Sequence, residues 1–529
     1  MVKYLDNNSG FNMWNANKTA SSNDKPKSRL GNFLWWGILF LGTWWLFSMW
    51  NAPKNVPVPT DTESAIIATD VSNVPAHEIS GNKITANAQG LRVSNIALND
   101  FAASAKADDN ACVTLLGGDG DFIEVGLNAT GTTAPDAKTV WQDTGDTMRW
   151  RNVDGVVFTR SITVDGYLIT VTDTVENKTK HEISFAPYAR IVRGDKSNSA
   201  GVATGAITNS NSKVHYVDWN KMSKKSYAYS TTNGFVGFAD QYWETIAAVQ
   251  SPDQTIRAKS IGNKYMTDAS AAAIRVAPND TGVFTTTIFA GPRDQRVLDA
   301  AATTIGGLDE TIDYGWFWFL ARPMLWALNI LNSFVMNYGV AIILLTILLR
   351  LLMWPLTRKS YTSSIAMQKM QPELQRIQKL YANDKARLQL EMMNLYKTHK
   401  TSPMSGCLPM LIQIPIFFAL YKALLVSVQM RNAHFLWIND LAAMDPYFIL
   451  PILMGATMWL QQYIQSGRMR KDAPKNDAMA ATARMMKWLP IIFAVMFAWM
   501  PAGLVLYWTV SNVFGIFQTY IIKKQLNKK

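Results

Sequence analysis

Six stretches of this chain are apolar and almost free of charge, one near its start and five close together near its end. A segment of that kind in a bilayer must satisfy its own backbone hydrogen bonds, and a helix does so. Residues 33–50 carry no charge. At 1.5 Å per residue they make a helix of about 27 Å, just long enough for the hydrocarbon core. Lys25, Lys27 and Arg29 precede it, and Trp35, Trp36, Trp44, Trp45 and Trp50 suit interfacial anchoring. A cleaved signal peptide would have a shorter leader and an A-x-A site beyond Met49; neither is found. The expectation is an uncleaved anchor preceded by a cytoplasmic tail, residues 1–32.

Composition narrows the class further. Charged residues are 17% of the chain, below the roughly 25% of soluble proteins. The concentration of apolar residues at one end argues against a single soluble globule, and their abundance argues against a disordered or collagen-like chain. Cys112 and Cys407 fall in regions expected on opposite sides of the membrane, which argues against a shared disulfide, and no cysteine–histidine zinc spacing exists. No metal or cofactor is expected.

A Pro-containing linker (52–60) leads into a polar region, 61–313, rich in Thr, Val, Gly, Asn and Asp. Residues 156–164 and 167–175 are β-rich runs joined by Asp165 and Gly166, a two-residue hairpin signal, and 282–291 alternates Phe with Thr. An antiparallel all-β sandwich is predicted. The expected spans that follow are 337–357, 404–426, 447–464, 488–500 and 501–522. The fourth is about 20 Å if helical, shorter than the hydrocarbon core, a mismatch met by local thinning or by burial among neighbours.

Charge counting sets the expected orientation. The hairpin 358–403 is basic, with Arg358, Lys359, Lys369, Arg376, Lys379, Lys385, Arg387, Lys397 and Lys400. The next loop carries Arg431 against Asp440 and Asp445, and the one after is basic again, with Arg468, Arg470, Lys471, Lys475, Arg484 and Lys487. The tail 523–529 holds Lys523, Lys524, Lys528 and Lys529. Both termini are thus expected in the cytoplasm and the β domain outside. The formal net charge of +12 then reflects topology and attraction to anionic inner-leaflet lipid rather than nucleic acid. Residues 314–334 are apolar but broken by Arg322 and Pro323. If they crossed the bilayer every later loop would invert, so they are read as an interfacial helix on the outer surface.

The chemistry of an enzyme is missing. There is neither a phosphate-binding G-x-x-x-x-G-K-[ST] loop nor a G-x-S-x-G elbow. Gly81 and Phe185 stand where the second His of an H-E-x-x-H motif would be. Arg350 instead interrupts an otherwise uncharged helix, at a cost of about 2.5–3.5 kcal/mol on insertion scales. Two placements are open. It snorkels to the cytoplasmic face, although Thr357 is about 10 Å further along the helix, or it faces a hydrated cavity, the favoured reading. Thr346, Gln413, Gln461, Gln462, Thr509, Ser511, Asn512 and Gln518 are polar residues of the spans that could line such a cavity, and no Asp or Glu lies within the five C-terminal spans to pair with Arg350. In the hairpin, Met367, Met370, Leu374, Ile377 and Tyr381 fall at helical spacing, as do Leu388, Met392 and Leu395, with Asn383 and Asp384 at the turn. These residues either form the seam of an antiparallel pair or offer an adaptable surface to apolar clients.

Four runs carry a resemblance: TILLRLLMWPLT at 346–357, GCLPMLIQIPIF at 406–417, DPY at 445–447 with LPILMG at 450–455, and PAGLVLY at 501–507 with VSN at 510–512. In order and spacing, the chain from 314 to 529 resembles the YidC family of bacterial membrane protein insertases; the β domain matches in position and type. The resemblance implies a membrane α-helical bundle, a five-helix insertase core plus an N-terminal anchor, with a periplasmic all-β sandwich-like domain, in the inner membrane. It implies a non-enzymatic function, inserting and folding membrane proteins alone or with the Sec translocon.

The implied client-binding groove is hydrophilic and open to the cytoplasm, with Arg350, Thr346, Gln413, Trp508, Ser511, Asn512 and Gln518. Contacts to client or ribosome fall on Met367, Met370, Met392, Lys523 and Lys524. Implied partners are nascent membrane proteins, the Sec translocon, the ribosome and targeting factors, and anionic lipid. Two residues depart from the pattern: Trp508, where relatives often have Tyr, and Lys422, near the outer end of its span, which is expected to snorkel. The rival functions are a small-solute transporter, disfavoured by the lack of repeated halves, and a membrane-tethered envelope scaffold.

Overall fold

A computed structural model describes residues 69–104, 111–145, 147–194, 196, 202–399, 408–466 and 478–526. The tail 1–32, the anchor 33–50, the linker 52–60 and Cys407 lie outside the described residues.

Alternating apolar and polar residues send every second side chain to one face of a strand, and two antiparallel sheets bury those faces against each other. The ten-stranded sheet runs Ala76–Ser80, Ile84–Gln89, Arg92–Ala102, Phe122–Thr130, Ile183–Arg193, Lys264–Ala271, Gln254–Ile261, Tyr227–Thr231; Cys112–Leu115 pairs with its third strand and Ile274–Val276 with its fifth. The nine-stranded sheet runs Lys213–Val217, Gly205–Ser210, Phe235–Ala239, Trp243–Val249, Thr281–Pro292, Leu168–Glu176, Val157–Asp165, Met148–Arg151, Gln142–Asp143. Ile96, Leu98, Ile123 and Ile191 of the first share one buried cluster with Ile169, Val171, Val236 and Ile288 of the second, which makes the domain a sandwich.

The expected hairpin forms, shifted by one residue. Asp165 pairs with Leu168, so the loop is Gly166 and Tyr167 rather than Asp165 and Gly166. Gly166 takes φ 58°, the left-handed conformation that a mirror-image two-residue turn needs at its first position and that glycine adopts without steric cost.

At the foot of the sandwich Arg293 is buried and ties the following segment down. Its guanidinium donates to the carbonyls of Asp240 (2.7 Å) and Thr311 (2.5 Å) and to Tyr216 Oη (2.7 Å). From there a continuous apolar cluster runs into the helices, from Phe289, Leu298, Leu308 and Tyr314 to Ala321, Leu328, Ala341, Leu425 and Leu506.

Eight helices follow in the described residues: α1 Trp318–Val335, α2 Tyr338–Leu352, α3 Trp354–Leu380, α4 Lys385–Thr398, α5 Leu408–Val426, α6 Ile449–Ser466, α7 Ala478–Phe497 and α8 Ala502–Leu526. Helix α1 buries Ala321, Met324, Leu325 and Leu328, a three–four spacing that makes one face, and exposes Trp318, Phe319, Trp326 and Phe334. Asn337 caps α2, accepting from the Val340 amide at 3.1 Å. Asp384 caps α4 in the same way, at 3.0 Å from the Arg387 amide. Helix α7 begins well before residue 488, because Arg484 and Lys487 end an apolar run without ending a helix.

Among the described residues, Ala502–Gln525 is the single helix long and apolar enough to cross a membrane by itself. Tyr338–Leu352 and Trp354–Met367 reach that measure only together, bent by 59°. Ile412–Val426 and Trp488–Phe497 are shorter apolar helices.

The sandwich and the bundle also meet through polar contacts. Lys422 Nζ pairs with Asp313 Oδ2 at 3.1 Å, so this residue, expected to snorkel, reaches the segment below the sandwich. Gln241 donates to the Leu425 carbonyl at 3.0 Å, and Arg431 to the Ala102 and Ala103 carbonyls at 2.7 and 2.5 Å.

Candidate functional site

Helix α8 lies at the centre of the bundle, packed against α2, α3, α5 and α6. Its polar residues recur at helical spacing. Tyr507, Ser511 and Gln518 fall within about 40° of one another around the axis, since four and eleven residues are close to whole turns. Lipid-facing positions favour apolar groups, so a polar stripe of this kind belongs inside the bundle. Ser511, Asn512, Gln518 and Thr519 are all buried.

Arg350, two residues before the end of α2, turns to this stripe. Its Nε and Nη2 donate to Ser511 Oγ at 2.8 and 2.5 Å. The residue is half-buried, and no carboxylate among the described residues lies within ion-pair distance of it. A guanidinium has five N–H donors. Two go to this one hydroxyl, and no other protein acceptor among the described residues takes the rest. The arrangement holds a cation in place without neutralising it, which leaves it available to an anionic group.

The other expected groove residues divide. Gln413 on α5 donates to Tyr507 Oη on α8, which ties two walls of the bundle together. Gln518 Nε2 donates to the Arg350 carbonyl at 3.1 Å. Asn512 turns to α6, 3.4 Å from both the Met454 carbonyl and Thr457 Oγ1. Thr346 is fully buried, and its hydroxyl returns to the Ile342 carbonyl of its own helix at 2.6 Å; a hydroxyl satisfied in the preceding turn offers little to a client. Trp508 packs into an aromatic cluster, its ring 5.0 Å from Phe417, 5.3 Å from Phe497 and 6.0 Å from Phe493.

Two family models cover most of this chain. One, described as the YidC periplasmic domain, matches residues 81–327; the other, 60Kd inner membrane protein, matches 330–529. A membrane protein insertase YidC from Beijerinckia indica subsp. indica is 33% identical over 501 residues, which cover 84% of this chain and 81% of the relative. The chain belongs to the YidC family of membrane protein insertases. Relatives of the same name from Magnetococcus marinus and Aeromonas salmonicida are 37% and 38% identical, covering 74% and 72% of this chain and 72% and 70% of their own. A solved active YidC insertase with its first transmembrane domain resolved aligns over 86% of this chain and 96% of its own, at 18% identity and a TM-score of 0.38. As a YidC insertase the chain resides in the membrane, acts on nascent membrane proteins and is not an enzyme.

In this YidC-family chain the methionines expected to meet clients sit in the hairpin seam. Met370 is buried with Leu374 and Leu395, and Met367, Ile377, Met392 and Tyr396 pack around them. The outward residues are Leu380, Leu390 and Met393. Lys523 is likewise engaged, donating to the Ile464 carbonyl near the end of α6, whereas Lys524 is exposed. Sequence reasoning missed three members of the polar network. Tyr507 receives Gln413, and Thr519 donates to Tyr361 on α3. Tyr507 stood inside a family-like run, but nothing in its spacing named its partner.

Proposed function

We propose that Arg350 is the client-recognition point of this insertase, in a hydrophilic groove that opens to the cytoplasm. The observation that carries it is the guanidinium fastened to Ser511 Oγ with no acidic partner among the described residues. A negative charge in the leading segment of a client supplies the missing counter-ion. The groove lowers the cost of bringing polar residues into the inner leaflet, and burial of the client's apolar helix in lipid, worth about 25 cal/mol per Å², drives its release. The membrane potential assists an acidic leading segment by about 2.3 kcal/mol per charge per 100 mV. Release runs along α2 and α6, which expose Leu344, Leu348 and Leu351, and Ile452, Trp459 and Tyr463.

The proposed topology is multi-pass, with both termini cytoplasmic and the sandwich in the periplasm. The basic residues of α3 and α4 support it by the positive-inside rule and favour anionic lipid. In this topology α1 rests on the outer surface, its exposed Trp318, Trp326 and Phe334 in the interface. The Sec translocon is the proposed partner on the periplasmic side. The ribosome and targeting factors meet the hairpin and Lys524 from the cytoplasm.

The test uses purified protein in vesicles and two clients that differ only in whether the leading segment is acidic or neutral. Arg350→Ala is expected to slow the acidic client several-fold more than the neutral one. Equal slowing would refute the charge-recognition step.

A further inference from the structure

The Arg350 carbonyl is one of the last four of α2, which lack partners within the helix. Beyond it the chain bends by 59° into α3. Pro355 stands just past the break, and having no N–H it cannot carry the backbone ladder across the bend. The carbonyl is met instead from another helix, by Gln518 Nε2 at 3.1 Å. Gln518 is thus a cap on α2 supplied by α8. It is fully buried, and its Oε1 has no partner among the described residues. A sealed, unpaired acceptor weakens a fold, whereas an apolar side chain of the same size would fill the space without that cost. A local rule broken at the backbone of a functional residue points to a positional requirement.

Ser511 and Gln518 are seven residues apart on α8, two turns and about 10 Å along one face. They grip Arg350 at two points, Ser511 at the guanidinium and Gln518 at the main chain. We propose that Gln518 is a positioning residue for Arg350. It sets the height and rotation of the end of α2 against α8, so that the guanidinium faces the client's charge. Without the main-chain grip the end of α2 turns at its bend, and the charge is presented in many directions instead of one. The proposal rests on Arg350 as the client-recognition point.

The test is the ratio of insertion rates for the acidic and neutral clients, measured with full-length protein in vesicles. Gln518→Met keeps the length of the side chain and removes the donor; Gln518→Leu is the second variant. Each is expected to lower the ratio several-fold, towards that of Arg350→Ala. Adding Gln518→Met to Arg350→Ala should lower it no further, the non-additivity of two residues acting as one unit. If Gln518→Met and Gln518→Leu slow both clients by the same factor, or leave the ratio at the wild-type value while Arg350→Ala abolishes it, Gln518 is only structural and the proposal falls alone. If Arg350→Ala itself keeps the wild-type ratio, recognition by Arg350 fails and the positioning role falls with it.

Discussion

Ser511 Oγ accepts from both Nε and Nη2 of Arg350, across 161 residues of sequence. A carboxylate in that place would have made a closed ion pair; a hydroxyl fixes the head group and leaves its charge unspent. The bond is therefore an anchor, and on the proposed function it also presents the charge.

Ser511→Ala should destabilise the bundle by about 1.5–3 kcal/mol, the usual worth of a hydrogen bond to a charged group. Ser511→Thr, which keeps the hydroxyl, should recover most of that. Thermal unfolding in detergent measures both, and an unchanged midpoint for the alanine variant would show that Ser511 is no anchor.

The sandwich carries a pH dependence of unusual sign. Glu244 is fully buried, 3.4 Å from Arg293 Nε, and accepts from Thr311 Oγ1 at 3.0 Å. Burial pushes its carboxyl from an ordinary 4.5 up to about 7, outweighing the opposing pulls of Arg293 and Thr311. Between those two values the folded domain keeps a proton that the unfolded chain has released. Stability follows the difference in bound protons, so the contribution of Glu244 is greatest below 4.5, falls as pH rises through 7 and is level above. The stability of wild type relative to Glu244→Gln should therefore be higher at pH 5 than at pH 8. Denaturant midpoints at the two values decide it; a difference that does not move with pH would mean that Glu244 is charged throughout.

What could be read from the sequence follows from the range of the signal. The fold class was legible because apolar runs and β-rich polar stretches are local patterns. What depends on register across elements was not. Arg92, Glu124, Arg190, Asp268 and Arg257 stand directly opposite one another on five adjacent strands, an alternating row of charge that no single strand reveals. At the site, Arg350, Ser511 and Gln518 stood out as polar residues in apolar runs. That the second holds the head of the first and the third its backbone depends on how α2 and α8 are packed. Thr346 was a candidate on polarity alone, and the preceding turn of its own helix takes up its hydroxyl.

Two glycines give a controlled comparison of helix packing. A Cβ at Gly455 would lie 2.9 Å from Ala494 Cβ, which cannot swing aside, so α6 and α7 must separate. At Gly515 it would lie 2.5 Å from Gln461 Nε2, the far end of a flexible side chain. Gly455→Ala should cost about 1–3 kcal/mol, the usual penalty of overpacking. Gly515→Ala should be neutral or gain up to about 1 kcal/mol from helix propensity. Thermal midpoints of the two variants test the packing of α8 on α6 and of α6 on α7 together, and the reverse order would rule it out.

The hairpin offers a choice between seam and surface. Met370 is 3% exposed and Met393 is 53% exposed. Truncating a buried methionine to alanine costs about 2–5 kcal/mol, whereas an exposed change away from special features stays within about 0.5 kcal/mol. Hydrogen exchange of the α3 and α4 amides should accept Met393→Ala with little change and report Met370→Ala as a loosened pair. An adaptable client surface would behave the other way, with Met370→Ala leaving exchange untouched and weakening client crosslinks to the hairpin. The seam places Met370 against Leu374 and Leu395, and such a contact cannot be open to a client while the two helices stay paired. On the proposed client contact with this hairpin, the exposed Leu380, Leu390 and Met393 are the residues where substitution should cut crosslinking and leave exchange unchanged.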